Sequence, residues 1–238
     1  MSQTPSKLSW VNVADLHLKD HESLGGVNVF TGHPLRFDDK LLALSKAVDF
    51  ANKKKVDFFI LSGDIFDGPN PSEMCMSCLM DVLSQREWIP IIWIVGNHDT
   101  DGIFAACEHL DKFNIEPELM FFKEYAILWS SHNEPIAVHV LPWDGDFSKA
   151  IEKSARFPFN ILIGHEEVRG AKLSEREKYC DEAFAIDPDV LRSNFNHVEF
   201  GHFHTRQEFY IGSIARSTRS EGVGPKGFTY TQENWSDQ

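Results

Sequence analysis

The sequence predicts a layered α/β protein, two β-sheets packed face to face with helices outside, and three observations carry that reading. Short apolar runs rich in β-branched and aromatic residues stop at polar, Gly-containing turns. Amphipathic helical patterns separate the first three runs, the alternation of a parallel sheet with right-handed crossovers. Farther along, apolar runs follow one another too closely for intervening helices, as in an antiparallel hairpin or meander.

Taken in order, Leu8 to Asp15 (LSWVNVAD) is the first strand. Lys19 to Leu35 is a loop of unusual length, a feature that goes with function or with mobility. RFDDKLLALSKAVDFANKKK then places Leu41, Leu44, Ala47, Val48 and Ala51 at helical spacing. Val56 to Asp64 (VDFFILSGD) is the second strand, and PSEMCMSCLMDVLSQRE is a second helix announced by Pro71-Ser72-Glu73. Ile89 to Asn97 (IPIIWIVGN) is the third strand. LMFFKEYAILWSS and PIAVHVLPW form the expected hairpin or meander, and DFSKAIEKSA is a short helix. Asn160 to His165 (NILIGH) and His197 to His202 (HVEFGH) are the last strands.

At 238 residues, 42% hydrophobic and 25% charged, the chain suits a single folded domain spanning 1–238. The polar opening MSQTPSKLSW has no apolar signal region, and the longest apolar run, Ile89 to Val95, is far short of the roughly 20 residues of a membrane span. A cytoplasmic protein without a membrane partner is expected. Cys75, Cys78, Cys107 and Cys180 are too few and too irregular for a disulfide framework. Cys75 and Cys78 lack a second pair and read as helix thiols rather than a zinc or redox site. A net charge of −13 disfavours unaided tight binding of nucleic acid, although bound divalent cations would reverse the field locally.

Each predicted strand ends in residues that bind metal or move protons: Asp15-Leu16-His17, Gly63-Asp64 with Asp67, Gly96-Asn97-His98-Asp99, Gly164-His165, and Gly201-His202-Phe203-His204. Taken singly, each is compatible with an ordinary turn. In a parallel sheet, however, the carboxyl ends of the strands lie on one side, where ligands bind. Separate segments would therefore deliver Asp, His and Asn side chains to one place. His21, His33, His109, His132, His139 and His197 have no such motif around them.

Together, DLH, GDIFD, GNHD, GH and GHFH, in this order and each after a strand, resemble the calcineurin-like metallophosphoesterase superfamily over about residues 8 to 215. The resemblance implies a four-layer α/β/β/α fold around two divalent metal ions. Mn²⁺ is the first expectation, with Fe or Zn²⁺ as alternatives for a mixed carboxylate and imidazole set. It implies one ion on Asp15, His17 and His204, the other on Asn97, His165 and His202, and Asp64 bridging both. His202 and His204, two apart on an extended strand, would face the same side while Phe203 turns into the core. His98 would contact the phosphate and assist the leaving alkoxide, with Asp67 orienting its imidazole; a further ligand or a packing residue is the other reading of His98. Asp99 would support its turn.

Phosphoprotein phosphatases carry an arginine directly after the second motif, whereas here Gly68 follows Asp67, which argues against that branch. GDIFDGPNPSEMCMSCLMDVL, IPIIWIVGNHD and FYIGSIARSTRSEGVGPKGF instead resemble the SbcD-type nucleases, catalytic subunits of double-strand-break repair complexes. This implies a phosphodiesterase, of exonuclease type, acting on DNA. The alternatives are a phosphodiesterase or phosphatase for nucleotides or other small phosphoesters and, last, a non-catalytic scaffold. Nucleases of this branch continue into a DNA-capping domain and a segment that binds an ATPase partner, and a homodimer is implied by the same analogy. This sequence ends ten residues after Phe228, so a bare catalytic core is the expectation. Arg206, Arg216 and Arg219 follow the site and read equally as phosphate binders or surface residues.

Overall fold

A computed structural model describes residues 7–21, 25–99, 119–130, 136–174, 178–181, 183–216 and 224–234. Cys107, His109, His132 and Arg219 lie outside them. Strands β1 (Lys7–Val13), β2 (Phe58–Ser62), β3 (Ile91–Ile94) and β4 (Leu119–Phe122) run parallel, and β11 (Thr229–Asn234) closes the first sheet antiparallel to β1, in the order β11-β1-β2-β3-β4. The second sheet has the order β10-β7-β6-β5, with β10 (His197–Gly201), β7 (Phe159–His165) and β6 (Ile136–Leu141) parallel and β5 (Ala126–Ser130) antiparallel to β6. A small hairpin joins β8 (Lys172–Ser174) to β9 (Lys178–Tyr179).

Alternation along the strands builds the layers, because successive side chains point to opposite faces. Leu8, Trp10, Ile60, Ile92 and Ile94 of the first sheet meet Ile136, Val138, Val140, Ile161 and Ile163 of the second. The intervening Val11, Val13, Phe59, Leu61, Ile91 and Trp93 face the other way, against Phe37, Leu44 and Val48 of α1 (Leu35–Lys54) and Leu79 and Leu83 of α2 (Glu73–Leu83). On the far side, Leu141, Leu162 and Phe200 pack with Ala150 of α3 (Phe147–Ser154) and Leu191 of α4 (Pro188–Asn194). The result is the expected sandwich of two sheets flanked by helices.

Local signals behave as their chemistry requires. Ser72 Oγ accepts the Cys75 amide at 3.2 Å and so caps α2. Cys75 and Cys78 are free thiols on that helix. In the described end of the long loop, the Asp38 carboxylate accepts from Thr31 Oγ1 at 2.7 Å and meets His33 Nδ1 at 3.0 Å. Among the described residues no helix is long and apolar enough to cross a membrane.

The antiparallel pairing expected of the middle section holds for β5 and β6 but not for β4. β4 is parallel to β3 in the first sheet, and only β5 and β6 make an antiparallel pair, in the second. Lys123, Glu124 and Tyr125 thus carry the chain between sheets. Spacing alone does not separate that crossing from a tight reversal, since both need a short polar link between apolar runs.

His197, without a motif in sequence, joins the two sheets at their far edge. Its Nε2 lies 3.1 Å from Glu199 Oε1 and its Nδ1 3.1 Å from Glu233 Oε1 on β11. Buried Glu199 also accepts from Trp10 Nε1 at 3.0 Å and Asn12 Nδ2 at 2.8 Å. Burial opposes charge on His197, but the two carboxylates outweigh it and push its pKa up to about 9. A raised pKa stabilises the fold fully below the unfolded value of about 6.5, and the contribution is lost as pH rises through about 9. Denaturant titrations are therefore expected to show stability falling by on the order of 2 kcal/mol between these limits. His197→Gln should flatten that slope; an unchanged slope would reject the assignment.

Candidate metal centre

The carboxyl ends of β1, β2, β3, β7 and β10 open on one side of the sandwich, and the loops there interlock. The Asp15 amide donates to the Gly63 carbonyl at 3.1 Å and the His17 amide to the Asp64 carbonyl at 2.9 Å. Asp15, His17, Asp64 and His202 have φ of 52°, 45°, 52° and 93°. Left-handed backbone at non-glycine residues costs on the order of 1 kcal/mol each and persists where surrounding structure enforces it. Gly63 and Gly96 are needed because a Cβ would fall on His165 Nδ1 at the first and on the Asp64 carboxylate at the second.

Among the described residues, ligand-type atoms of the predicted metal residues gather in two neighbouring groups, Asp15 with His17 and His204, and Asp64 with His165 and His202, while a third group, Asp67 and His98, shares His17 with the first. Asp64 Oδ2 stands between them, 3.6 Å from His17 Nε2 and 3.5 Å from His165 Nε2. Asn97 Oδ1 joins the second group at 3.0 Å from His165 Nε2 and 2.9 Å from His202 Nδ1. All seven sequence-predicted metal residues are therefore brought together. The reason for the His-x-His spacing differs from the expected one. β10 ends at Gly201, and the turn at His202, not an extended strand, sends the two imidazoles to different groups while Phe203 is buried.

The groups fit divalent cations on the chemistry of their atoms. Asp15 Oδ1 accepts the His202 amide at 2.9 Å, but Asp15 Oδ2 is buried with no donor. An unpartnered buried carboxylate oxygen is costly unless a cation meets it. His17 Nε2 and His204 Nε2 face each other at 3.0 Å, so two ring nitrogens converge on one point. Burial raises the Asp15 pKa. Burial also acts on Asp64, but His165 outweighs it and holds that carboxylate well below its usual range. The same contact lifts His165 to about 9 against its burial, whereas burial and His165 depress His202 to about 3.

The family profile described as calcineurin-like phosphoesterase matches residues 11–206, which contain every one of these side chains. The chain belongs to the calcineurin-like phosphoesterase family. Among curated relatives, it is 28% identical over 84% of its length to an uncharacterized metallophosphoesterase, YhaO, of Bacillus subtilis, covering 49% of that protein. It is 29% identical over 87% of its length to the DNA double-strand break repair protein Mre11 of Sulfurisphaera tokodaii, covering 51% of it. Against a subunit of the nuclease SbcCD from Staphylococcus saprophyticus the values are 23%, 92% and 64%. The chain thus spans about half to two thirds of the length of these relatives. A dimetal phosphatase from Danio rerio shares the fold, with a TM-score of 0.55, 12% identity, and 94% of this chain and 91% of that one covered.

Within this phosphoesterase site His98 and Asp67 are close, but not as expected. His98 Nδ1 meets the main-chain carbonyl of Asp67 at 3.4 Å. The Asp67 carboxylate turns instead to Lys19 Nζ at 2.7 Å and His17 Nδ1 at 3.3 Å, because a cation and a second imidazole both lie on its side. Asp67 therefore stands beside His17 with its carboxylate and beside His98 with its carbonyl. Asp99 supports the turn as expected: fully buried, its carboxylate accepts the amides of Ile65 at 3.1 Å, Phe66 at 3.2 Å and Gly96 at 3.3 Å, bracing two loops at once.

Three neighbours escaped the sequence reading. Glu167 Oε1 lies 3.2 Å from His202 Nε2, the carboxylate contact that fixes the tautomer of a ligating imidazole. Its signal was the acidic pair Glu166-Glu167 directly after His165. Trp143 packs on His202 with ring centroids 4.9 Å apart. It follows β6, whose carboxyl end opens on the site because β6 is parallel to β7; the hairpin reading hid this. Buried Lys40 donates to the His17 carbonyl at 2.7 Å, and nothing in the helical pattern singled it out.

Proposed function

We propose that the protein is a two-metal, nuclease-type phosphodiesterase that cleaves DNA in the cytoplasm, with Mn²⁺ as its metal. The observation that supports this reading is the convergence of six ligand-type side chains from both sheets around the Asp64 carboxylate. Asp15, His17 and His204 would hold one ion, Asn97, His165 and His202 the other, and Asp64 would serve both. A bound pair supplies Lewis-acid polarisation of the phosphoryl group and neutralises charge on the leaving oxygen. Asp67 and Glu167 keep the His17 and His202 rings oriented. His98 is half-buried beside the centre; with Nδ1 against the Asp67 carbonyl, Nε2 is the nitrogen that meets the substrate and delivers a proton to the leaving alkoxide.

DNA as substrate is supported by relatives whose names are those of a nuclease component and a double-strand break repair protein, and by Gly68 at the position after Asp67. The net charge of −13 favours the second reading, a phosphodiesterase for nucleotides or other small phosphoesters. Incubation of Mn²⁺-loaded protein with labelled single- and double-stranded DNA and with bis-p-nitrophenyl phosphate separates the two. Cleavage of DNA as well as of the small diester is expected; turnover of the small diester with no attack on any DNA selects the second reading.

A further inference from the structure

The openings on the His202 and His204 sides of the centre differ in charge. On the His202 side a cavity of about 740 Å³ is lined by Trp143, Asp144, Phe147, Glu166, Glu167 and Asp187 among others. Its four carboxylates outnumber its one lining arginine, Arg169, which pairs with Asp187 at 3.6 Å, so the cavity is acidic on balance. On the His204 side a groove of about 420 Å³ is lined by Arg36, Asp39, Arg216 and Lys226, with Ala215, Gly224 and Pro225 between them.

The groove is joined to the centre through the backbone. Lys226 Nζ donates to the His204 carbonyl at 2.9 Å and to Ser213 Oγ at 2.8 Å. The Ile214 amide donates to the Ala14 carbonyl at 3.3 Å, so the segment leading to Arg216 starts beside Asp15. Arg36 Nη1 reaches the Arg216 carbonyl at 3.3 Å, Arg216 Nη2 reaches the Gly224 carbonyl at 3.4 Å, and Arg216 Nε is buried without a hydrogen-bond partner. Among the described residues neither guanidinium pairs with a carboxylate, although Arg156, Arg169 and Arg192 all do. In a chain of net charge −13, a groove lined by two arginines and Lys226, with Asp39 as the one carboxylate among its lining residues, is locally positive. Arg206 does not line the groove and donates to the carbonyls of Ile211 at 2.9 Å and Phe228 at 3.0 Å.

We infer that the groove of Arg36 and Arg216 seats a second phosphate of the substrate, adjacent to the one at the centre. It thereby selects polynucleotides over esters with a single phosphate. The inference rests on the nuclease reading and adds the side from which the strand approaches: the His204 side, since the His202 side is acidic. Guanidinium forks match phosphate oxygens, and each contact releases counterions from the strand.

Anisotropy of a labelled phosphorothioate oligothymidylate with Mn²⁺-loaded protein, over a salt series, tests it. Arg36→Gln and Arg216→Gln are each expected to weaken binding roughly tenfold at low salt. Each should also reduce the slope of log affinity against log salt by about 0.7. Arg36→Lys and Arg216→Lys keep the charge and should keep the slope, which assigns the loss to electrostatics rather than to misfolding. In turnover, the double Gln variant should lose about tenfold or more of its preference for a trinucleotide over bis-p-nitrophenyl phosphate. A double Gln variant with the parent's affinity and slope overturns the groove assignment alone. A parent protein that hydrolyses the small diester but binds no oligonucleotide overturns the nuclease reading, and the groove's role with it.

Discussion

Asp64→Asn is expected to empty both metal positions together and to lower phosphodiester turnover by on the order of 10³-fold or more. Asp64 Oδ2 is within 3.6 Å of His17 Nε2 and 3.5 Å of His165 Nε2, so one carboxylate faces both ligand groups. No other acidic side chain among the described residues occupies that position: Asp15 belongs to the first group, and the Asp99 carboxylate is turned to three amides. The amide variant keeps the shape and removes the charge. Metal content by mass spectrometry after exhaustive dialysis gives a readout independent of rate. Two retained ions per chain would contradict the bridging role, and loss of one alone would assign Asp64 to a single group.

The second large effect is at His98. His98→Ala is expected to retain both metals and lose about 10²- to 10⁴-fold in turnover of DNA, the range for a positioned acid. The side chain sits beside the centre, its ring 4.8 Å from that of His17, and its amide donates to Asp64 Oδ1 at 2.8 Å. That backbone contact survives the substitution, so the loop stays in place. A leaving alkoxide needs the proton far more than p-nitrophenolate does, and the deficit should shrink on bis-p-nitrophenyl phosphate. Equal losses on both substrates would rule out a proton donor, and a drop in metal content would show His98 to be a ligand.

The sequence announced the centre because each strand end carries its own polar motif, and parallel strands bring those ends together without further information. Asp15, Asp64, Asn97, His165 and His202 needed only the direction of their strands. The orientation of the groups behind them was less legible, since it depends on which neighbour competes. The Asp67 carboxylate went to Lys19 and His17, and its carbonyl was left for His98. Trp143 was missed with the direction of β6, because apolar spacing sets the period of a strand and not its partner. β11 was not foreseen either: TYTQEN alternates between half-buried and exposed positions and carries little apolar signal, and its place is fixed by pairing with β1 and by Glu233 against His197.

Each ligand group draws on both sheets. Asp15 and His17 follow β1 and meet His204 from beyond β10; Asp64 and Asn97 follow β2 and β3 and meet His165 and His202 of the opposite sheet. An ion held there acts as a rivet across the seam of the sandwich. The stabilisation it would give the folded state, about 2.7 kcal/mol when free metal exceeds the dissociation constant a hundredfold, opposes the separation of either half. Chelation would therefore loosen the coupling between the sheets as well as remove the reaction, so endurance and activity draw on the same two ions.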